Sequence, residues 1–347
     1  MKGEIRARQC WALIVLTLCG YALTMPAGGR DEWFAILLAA AAALLLTALY
    51  SKPCEQLQTD CFAVLSGVYG RIGGALLGIG LSALAFWGLC MTTLSFVVFL
   101  RTAAPDRWPV WLIAALMLLT AGWVADGGMR RLALWAEPCV WVVLFALVLS
   151  LVLTLPDAET GHLTPFLAEG GLYSQVTHAL ALPFAECWFA VALLGGRCGS
   201  VRGGAQKAVV TAGVLLTCTA LRNVAVLGLA GAQNVWYPTF TAAGLIELGQ
   251  TFQRGEVLVS GSLLLCIVAR AAVFLTFVSE GVSESVPAVP RRPALWGAAA
   301  LSLILSVALA GSTADFLRAE QLYRILLLPV LLTVSAVTAV GAGWKRK

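Results

Sequence analysis

The sequence predicts an all-α integral membrane protein with about ten transmembrane helices, and three observations support this fold class. First, 60% of its 347 residues are hydrophobic, 12% are charged, and the mean hydropathy is +0.88; soluble domains rarely have such a composition. Second, the apolar residues fall into stretches close to the roughly 20 residues that a spanning helix needs. Third, the basic residues are distributed unevenly between alternate connecting segments.

Apolar windows of membrane-spanning length follow one another along the whole chain. We predict spans near residues 9–26, 33–50, 74–100, 108–124, 138–155, 175–196, 207–230, 256–278, 294–311 and 323–343. The connecting segments are too short to hold a separate hydrophobic core, so we expect a single polytopic membrane domain over residues 1–347. Lipid offers no partner to an unpaired backbone group, and the spans should therefore be helices.

Charge in the connecting segments predicts the orientation of the chain. If the N-terminus is cytoplasmic, that side carries fifteen basic residues: Lys2, Arg6, Arg8, Lys52, Arg71, Arg130, Arg131, Arg197, Arg202, Lys207, Arg291, Arg292, Lys345, Arg346 and Lys347. The opposite side carries six: Arg30, Arg101, Arg107, Arg254, Arg318 and Arg324. Basic loops favour the cytoplasm, so we expect both termini there. The net charge of +5 is a topology signal, and we expect contact with membrane lipid and no nucleic-acid partner.

Two of the predicted spans are interrupted by proline, about half the chain apart. The first runs from Gln9 to Pro26, and the other runs from Gln175 to Gly196 with Pro183 in its middle. Each opens a set of about five apolar stretches. Broken helices at matching positions of two halves are typical of transporter-type folds, in which they mark a binding site near the bilayer midplane.

The breaks contain the residues that we expect to bind a ligand. In the first span, Gly20 allows close approach and Thr24 supplies a hydroxyl; in the sixth, Pro183 removes an amide and frees the carbonyl one turn earlier. Ser262 in the eighth span is a further candidate. Exposed amides at one half-helix end favour an anionic group and exposed carbonyls favour a cation. A zwitterionic amino acid presents both groups.

Glu186 lies one turn beyond Pro183 in an otherwise apolar segment. An acid inside a span is costly and is a functional candidate by default. Two roles remain open: contact with a ligand ammonium beside the cavity, or a structural ion pair with Arg222 or Arg270, the basic residues predicted within spans. The first role predicts that Glu186→Gln accumulates normally. The second predicts loss of protein that is rescued by neutralising the arginine as well.

Other classes of function find little support in the sequence. It contains neither a Walker P-loop nor a G-x-S-x-G elbow, and no nucleophile–base or metal constellation stands out. We therefore expect no enzymatic activity, no cofactor and no metal. The ten cysteines include no C-x-x-C pair; most lie in or beside apolar spans, where cysteine behaves as a small apolar residue.

Several motifs, taken in order along the chain, resemble those of one known family. They are Ile5-x-Ala7-Arg8-Gln9, Gly20 followed by Pro26, Gly29-Arg30-Asp31-Glu32-Trp33, Pro183-Phe184-Ala185-Glu186 and Phe252-Gln253-Arg254-Gly255-Glu256. Together they resemble the spore germination permeases, the B subunits of endospore germinant receptors, within the amino acid–polyamine–organocation superfamily. The segment after the first span, Gly-Arg-Asp-x-Trp, is the most distinctive.

This resemblance implies both a fold and a function. The fold would be a LeuT/APC-like 5+5 inverted repeat with broken helices 1 and 6, repeat one covering about 9–155 and repeat two about 175–343. The function would be to sense a small nutrient, an amino acid, in the cell membrane or spore inner membrane and to trigger germination. The implied partners are a membrane A subunit and a lipoprotein C subunit.

Two alternatives share the same fold and pocket. One is an amino-acid secondary transporter that works by alternating access. The other is a channel or scaffold subunit that passes water or ions or relays a signal.

Overall fold

The computed structural model describes residues 5–22, 29–57, 61–103, 108–167, 171–246, 255–310 and 313–344. In these residues twelve α-helices follow in chain order: α1 (Ala7–Ala22), α2 (Glu32–Leu57), α3 (Cys61–Ala103), α4 (Val110–Asp126), α5 (Gly128–Leu153), α6 (Gly171–Ala181), α7 (Cys187–Leu194), α8 (Val201–Asn234), α9 (Pro238–Gly244), α10 (Glu256–Ser285), α11 (Arg291–Leu309) and α12 (Thr313–Trp344). Short 3-10 turns occupy Leu155–Asp157, Thr160–Leu163 and Pro183–Glu186.

The membrane-spanning helices of the described residues follow one another in the same order as the predicted spans. Eight helical segments are long and apolar enough to cross a bilayer, and α6 and α7 together form one of them, Gly171–Leu194. Two shorter apolar helices, Ala7–Gly20 and Val110–Asp126, occupy the positions of the first and fourth predicted spans. The chain is therefore an integral membrane protein of about ten spans.

The helix α3 starts before the predicted third span and contains a break. Gly70 has φ 77° and ψ 172°, a conformation that favours glycine because a Cβ would clash with the backbone. The short helical segment before Gly70 buries Phe62, whose ring lies 5.2 Å from that of Phe277 on α10. The break thus turns the first part of α3 towards the end of α10.

The helix α10 forms the centre of the bundle. It packs against α1, α3, α4, α5 and α11, and every residue from Cys266 to Ser279 is buried. Where α1 crosses it, a Cβ at Gly20 would lie 2.8 Å from the carbonyl oxygen of Cys266. Because that distance is shorter than any normal contact, the glycine lets the two backbones meet. The crossing fixes α1 against the helix that carries Arg270.

The outside of the bundle is apolar, as lipid requires. Trp123, Phe145, Ile304 and Ile325 each expose more than half of their surface. A soluble protein rarely exposes so many large apolar side chains together, whereas a bilayer solvates them. Many polar side chains, such as Thr93, Thr276 and Ser302, are instead buried inside the bundle.

Candidate functional site: a buried ion pair at the break in the sixth span

The sixth span is broken at the predicted proline. The helix α6 ends at Ala181, Leu182 is extended with φ −77° and ψ 132°, and the 3-10 turn Pro183–Glu186 leads into α7. Proline has no backbone N–H and restricts the preceding residue to extended conformations. The sequence therefore ends one half-helix and starts another near the middle of the segment Gly171–Leu194.

Glu186 ends this turn and forms a bidentate ion pair with Arg270 on α10. The guanidinium Nε donates to Oε2 of Glu186 and Nη2 donates to Oε1, each at 2.6 Å. The side chains are 1% and 2% exposed. Glu186 also stands at the N-cap position of α7, where the helix dipole favours a negative charge. The helix end acts through its dipole alone, because the carboxylate makes no capping hydrogen bond to α7.

Tyr323 on α12 completes the cluster. Its hydroxyl donates to Oε1 of Glu186 at 2.9 Å, and the tyrosine is 1% exposed. Space for it comes from Gly88 on α3, where a Cβ would lie 2.5 Å from the Tyr323 oxygen and 2.8 Å from Cζ of Phe274. The guanidinium of Arg270 lies 5.6 Å from the Phe274 ring. Residues of the sixth, eighth and tenth spans therefore meet at one carboxylate, and Gly88 of the third span makes room for Tyr323.

Large aromatic side chains exclude water from the neighbourhood of this cluster. Trp188 and Phe189 follow Glu186 within α7 and are fully buried, and Trp188 packs against Tyr50 with ring centroids 4.6 Å apart and ring planes tilted by 50°. The indole N–H of Trp188 donates to the hydroxyl of Ser335 at 2.9 Å. In such a dry environment the loss of one partner of an ion pair costs about 3–5 kcal/mol. The pair, together with the hydrogen bond from Tyr323, joins the sixth, eighth and tenth spans.

The structure brings only some of the predicted site residues together. Glu186 and Arg270 pair directly, and Pro183 opens the turn that carries Glu186. Gly20 lies at the crossing of α1 with Cys266, and Ser262 is buried on α10 with its hydroxyl donating to the carbonyl of Leu258 at 2.9 Å.

Three more residues were singled out in the sequence: Thr24, Pro26 and Arg222. Thr24 and Pro26 lie outside the described residues; α1 is continuous as far as Ala22. Arg222, the alternative partner for Glu186, instead donates from Nη1 to the hydroxyl of Ser150 at 3.4 Å.

Sequence reasoning did not find Tyr323 or Gly88. Tyr323 is separated from Glu186 by 137 positions, and nothing in its local pattern distinguishes it from an interfacial tyrosine. Gly88 lies inside an apolar helix, where glycine is common in membrane proteins. Tyr323 is the first residue of the predicted tenth span, where an interfacial tyrosine is expected.

A second group of contacts closes the end of the bundle at which α1 starts. The guanidinium of Arg197 donates to both carboxylate oxygens of Glu280 at 3.0 and 3.1 Å. The backbone N–H of Ile5 donates to the carbonyl of Arg197 at 3.3 Å, next to a parallel bridge between Ile5 and Cys198. A cavity of about 220 Å³, lined in part by Phe62, lies beside this ion pair. The start of α1, the segment after α7 and the end of α10 are thus joined.

The fold and its buried site define a class of membrane protein: a helical bundle of the transporter type, built around a broken sixth span. Solved structures share this fold. The nucleobase-cation-symport-1 family transporter Mhp1, closed with bromovinylhydantoin bound, matches 98% of this chain and 77% of its own with a TM-score of 0.70 at 13% identity. MhsT in complex with L-phenylalanine matches 99% of each chain with a TM-score of 0.61 at 11% identity. The LeuT/APC-like fold predicted from the sequence is thereby confirmed.

The sequence itself identifies the family. The profile of the spore germination protein family matches residues 4–310, and the chain belongs to that family. It is 24% identical over 371 residues to spore germination protein KB of Bacillus subtilis (strain 168), covering 100% of this chain and 96% of that protein. The family resemblance given by the motifs is confirmed, and the family is one of permease-like membrane proteins rather than enzymes.

Proposed function

We propose that this protein is the membrane B subunit of a spore germinant receptor and that it senses an amino acid at the Glu186–Arg270 pair. Family membership and the similarity to a spore germination protein support the receptor role. The observation that carries the ligand class is the pair itself, an anion and a cation buried together at a helix break. An amino acid carries both a carboxylate, which can pair with Arg270, and an ammonium, which can pair with Glu186.

The ligand would replace Glu186 as the partner of Arg270 and Arg270 as the partner of Glu186. Its carboxylate would take the place of Glu186 on the planar guanidinium of Arg270, which matches carboxylates bidentately. Its ammonium would take the place of Arg270 beside the Glu186 carboxylate. Because both buried charges keep a partner, the exchange avoids most of the cost of separating the pair. A molecule that carries one charge would leave the other residue unpaired.

Such an exchange couples binding to a change of shape. The pair joins the turn at Pro183 to α10, and Tyr323 adds α12 to the same carboxylate. A ligand that binds only when the pair is open shifts the population towards the open arrangement. In a receptor, neighbouring A and C subunits would read that shift, and we propose both as partners in the spore inner membrane.

The ligand class is tested by a thermal-shift screen of the purified receptor complex. Expected stabilising molecules lie among the twenty amino acids, with sugars and nucleosides as matched controls at the same concentration. Stabilisation by sugars or nucleosides alone would refute the amino-acid assignment while leaving the family intact. Arg270→Gln should abolish the response to the amino acid that stabilises the wild-type complex.

A secondary transporter is the second candidate, because Mhp1, which shares the fold, is named as a nucleobase-cation-symport-1 family transporter. Uptake of the radiolabelled amino acid into proteoliposomes, with and without a sodium or proton gradient, distinguishes the two. Concentrative uptake by this subunit alone would establish transport. Binding without flux is the result expected for a sensor, and ion or water flux without amino-acid flux would indicate a channel or scaffold subunit.

A further inference from the structure

Arg222 is a buried guanidinium whose donors are incompletely paired. The residue is 6% exposed on α8. Its hydrogen bond from Nη1 to the hydroxyl of Ser150 is long at 3.4 Å, and Nε has no acceptor. Within the residues that the structure describes, no carboxylate forms an ion pair with it: Glu186 is paired with Arg270, and the side chain of Glu159 is 75% exposed with its carboxylate 3.3 Å from His162. A buried charge without a counter-charge is costly.

The helix end near Arg222 does not supply the missing acceptors. The helix α8 is broken at Gly228, with φ 68° and ψ 167°, so Arg222 lies near the end of a helical run, where the dipole favours a cation. The carbonyl of Ala225 in this last turn already accepts the backbone N–H of Glu159 at 2.9 Å and contacts Nδ1 of His162 at 3.0 Å. The loop that contains Glu159 and His162 therefore packs against α8 and occupies the carbonyl of Ala225.

Ser150 adds a second donor to the same place. It is 0% exposed on α5, and its oxygen accepts the hydrogen bond from Arg222, which leaves its own hydroxyl proton to be donated elsewhere. A guanidinium fork and a hydroxyl, both buried and both donating, are suited to an oxyanion. Arg222 on α8 and Arg270 on α10 belong to separate clusters, so this site is not the one at the break in the sixth span.

We propose that Arg222 and Ser150 bind a carboxylate or phosphate group of a small water-soluble molecule, under the loop that follows α5. The bound oxyanion supplies the counter-charge of Arg222 and joins α5 to α8. This site is independent of the amino acid proposed at Glu186, and a receptor with both would respond to an anionic co-ligand as well as to its nutrient.

The test is thermal unfolding of the purified subunit at constant ionic strength, with sodium phosphate or sodium acetate replacing sodium chloride. We expect an oxyanion to raise the melting temperature of the wild type and of the control Arg130→Gln, which alters an exposed arginine. We expect Arg222→Gln to lose this rise, with an apparent affinity at least about tenfold weaker, as loss of a charge-assisted contact implies. An equal rise in Arg222→Gln, or no rise beyond chloride in the wild type, would overturn the proposal.

A second variant and a comparison of lipids complete the test. If Arg222→Gln does not fold, Ser150→Ala keeps the charge and should still weaken the apparent affinity for the oxyanion severalfold; unchanged affinity would contradict the site. Nanodiscs of anionic and of zwitterionic lipid separate the sources of the oxyanion. Stabilisation through Arg222 by anionic lipid alone, with no response to phosphate or acetate, would refute the soluble ligand and assign the site to a lipid headgroup.

Discussion

The carboxylate of Glu186 and the guanidinium of Arg270 meet through two hydrogen bonds of 2.6 Å inside the bundle, where neither side chain exposes more than 2% of its surface. Glu186 belongs to the turn that interrupts the sixth span, and Arg270 belongs to the central helix α10. The pair thus connects the break in the sixth span to the helix at the centre of the bundle. Stability and ligand response should both depend on it.

Loss of one partner of this pair should destabilise the protein. Glu186→Gln leaves the guanidinium of Arg270 buried without a carboxylate, and we expect a loss of about 3–5 kcal/mol and a lower amount of protein in membranes. Neutralising both residues, in Glu186→Gln/Arg270→Gln, should restore most of the lost protein. Immunoblots and thermal unfolding measure both effects.

Glu284→Gln is the matched control, because Glu284 is exposed on the same helix as Arg270. It should accumulate like the wild type. Normal stability of Glu186→Gln would show that the ion pair contributes little to the fold, and absence of rescue in the double variant would show that the two charges act separately.

Tyr323→Phe should make the protein more responsive. The substitution removes the hydroxyl that donates to Glu186 at 2.9 Å, and a hydrogen bond to a charged group contributes about 1.5–3 kcal/mol. Separating the Glu186–Arg270 pair should then cost less free energy, so half-maximal germination should need less nutrient. Tyr173→Phe, at a tyrosine that is 80% exposed, should leave the dose–response curve unchanged. A higher nutrient requirement with normal protein amounts would assign Tyr323 to ligand contact instead.

Two glycines of α3 offer a direct comparison. A Cβ at Gly88 would meet the Tyr323 oxygen and the Phe274 ring, whereas nothing lies within 4 Å of a Cβ at Gly80. Gly88→Ala should displace Tyr323 and lower the melting temperature, because overpacking costs typically about 1–3 kcal/mol. Gly80→Ala should be neutral or slightly stabilising, since alanine favours helix more than glycine does. Equal melting temperatures of the two variants would contradict the close packing at Gly88.

The distribution of basic residues predicts that both termini are cytoplasmic. A cysteine added after Lys347, in a variant whose exposed Cys218 is replaced by serine, should resist a membrane-impermeant maleimide in intact cells and react after permeabilisation. A cysteine at Glu159, in the loop after α5, should react in intact cells. Labelling of the C-terminal cysteine in intact cells would overturn the orientation.

Much of the fold follows from local features of the sequence. Span length is a local property, so ten apolar windows give ten helical segments in the right order. The break in the sixth span is equally local, because Pro183 alone excludes the backbone hydrogen bond of a continuous helix. The break at Gly70 was less visible, since glycine is compatible with a helix and its positive φ is set by the packing of the preceding segment against Phe277.

The partner of Glu186 could not be predicted for a physical reason. Arg222 and Arg270 are both arginines inside apolar spans, and the choice depends on which helix faces the broken turn. The facing helix is set by contacts between segments far apart in sequence, such as the crossing of α1 and α10 at Gly20 and Cys266. Tyr323 was missed for the same reason. Glu186 was found because a charged residue within an apolar segment stands out in the local sequence.

The central claim is that an amino acid replaces the partners of Glu186 and Arg270, and calorimetry with ligand analogues tests it most directly. The amino acid that stabilises the wild-type complex best is compared with the amine that lacks its carboxylate and with the acid that lacks its ammonium. We predict that each analogue binds at least about tenfold more weakly than the amino acid, because each leaves one buried charge unpaired. Binding of either analogue as tightly as the amino acid would contradict the exchange at this ion pair.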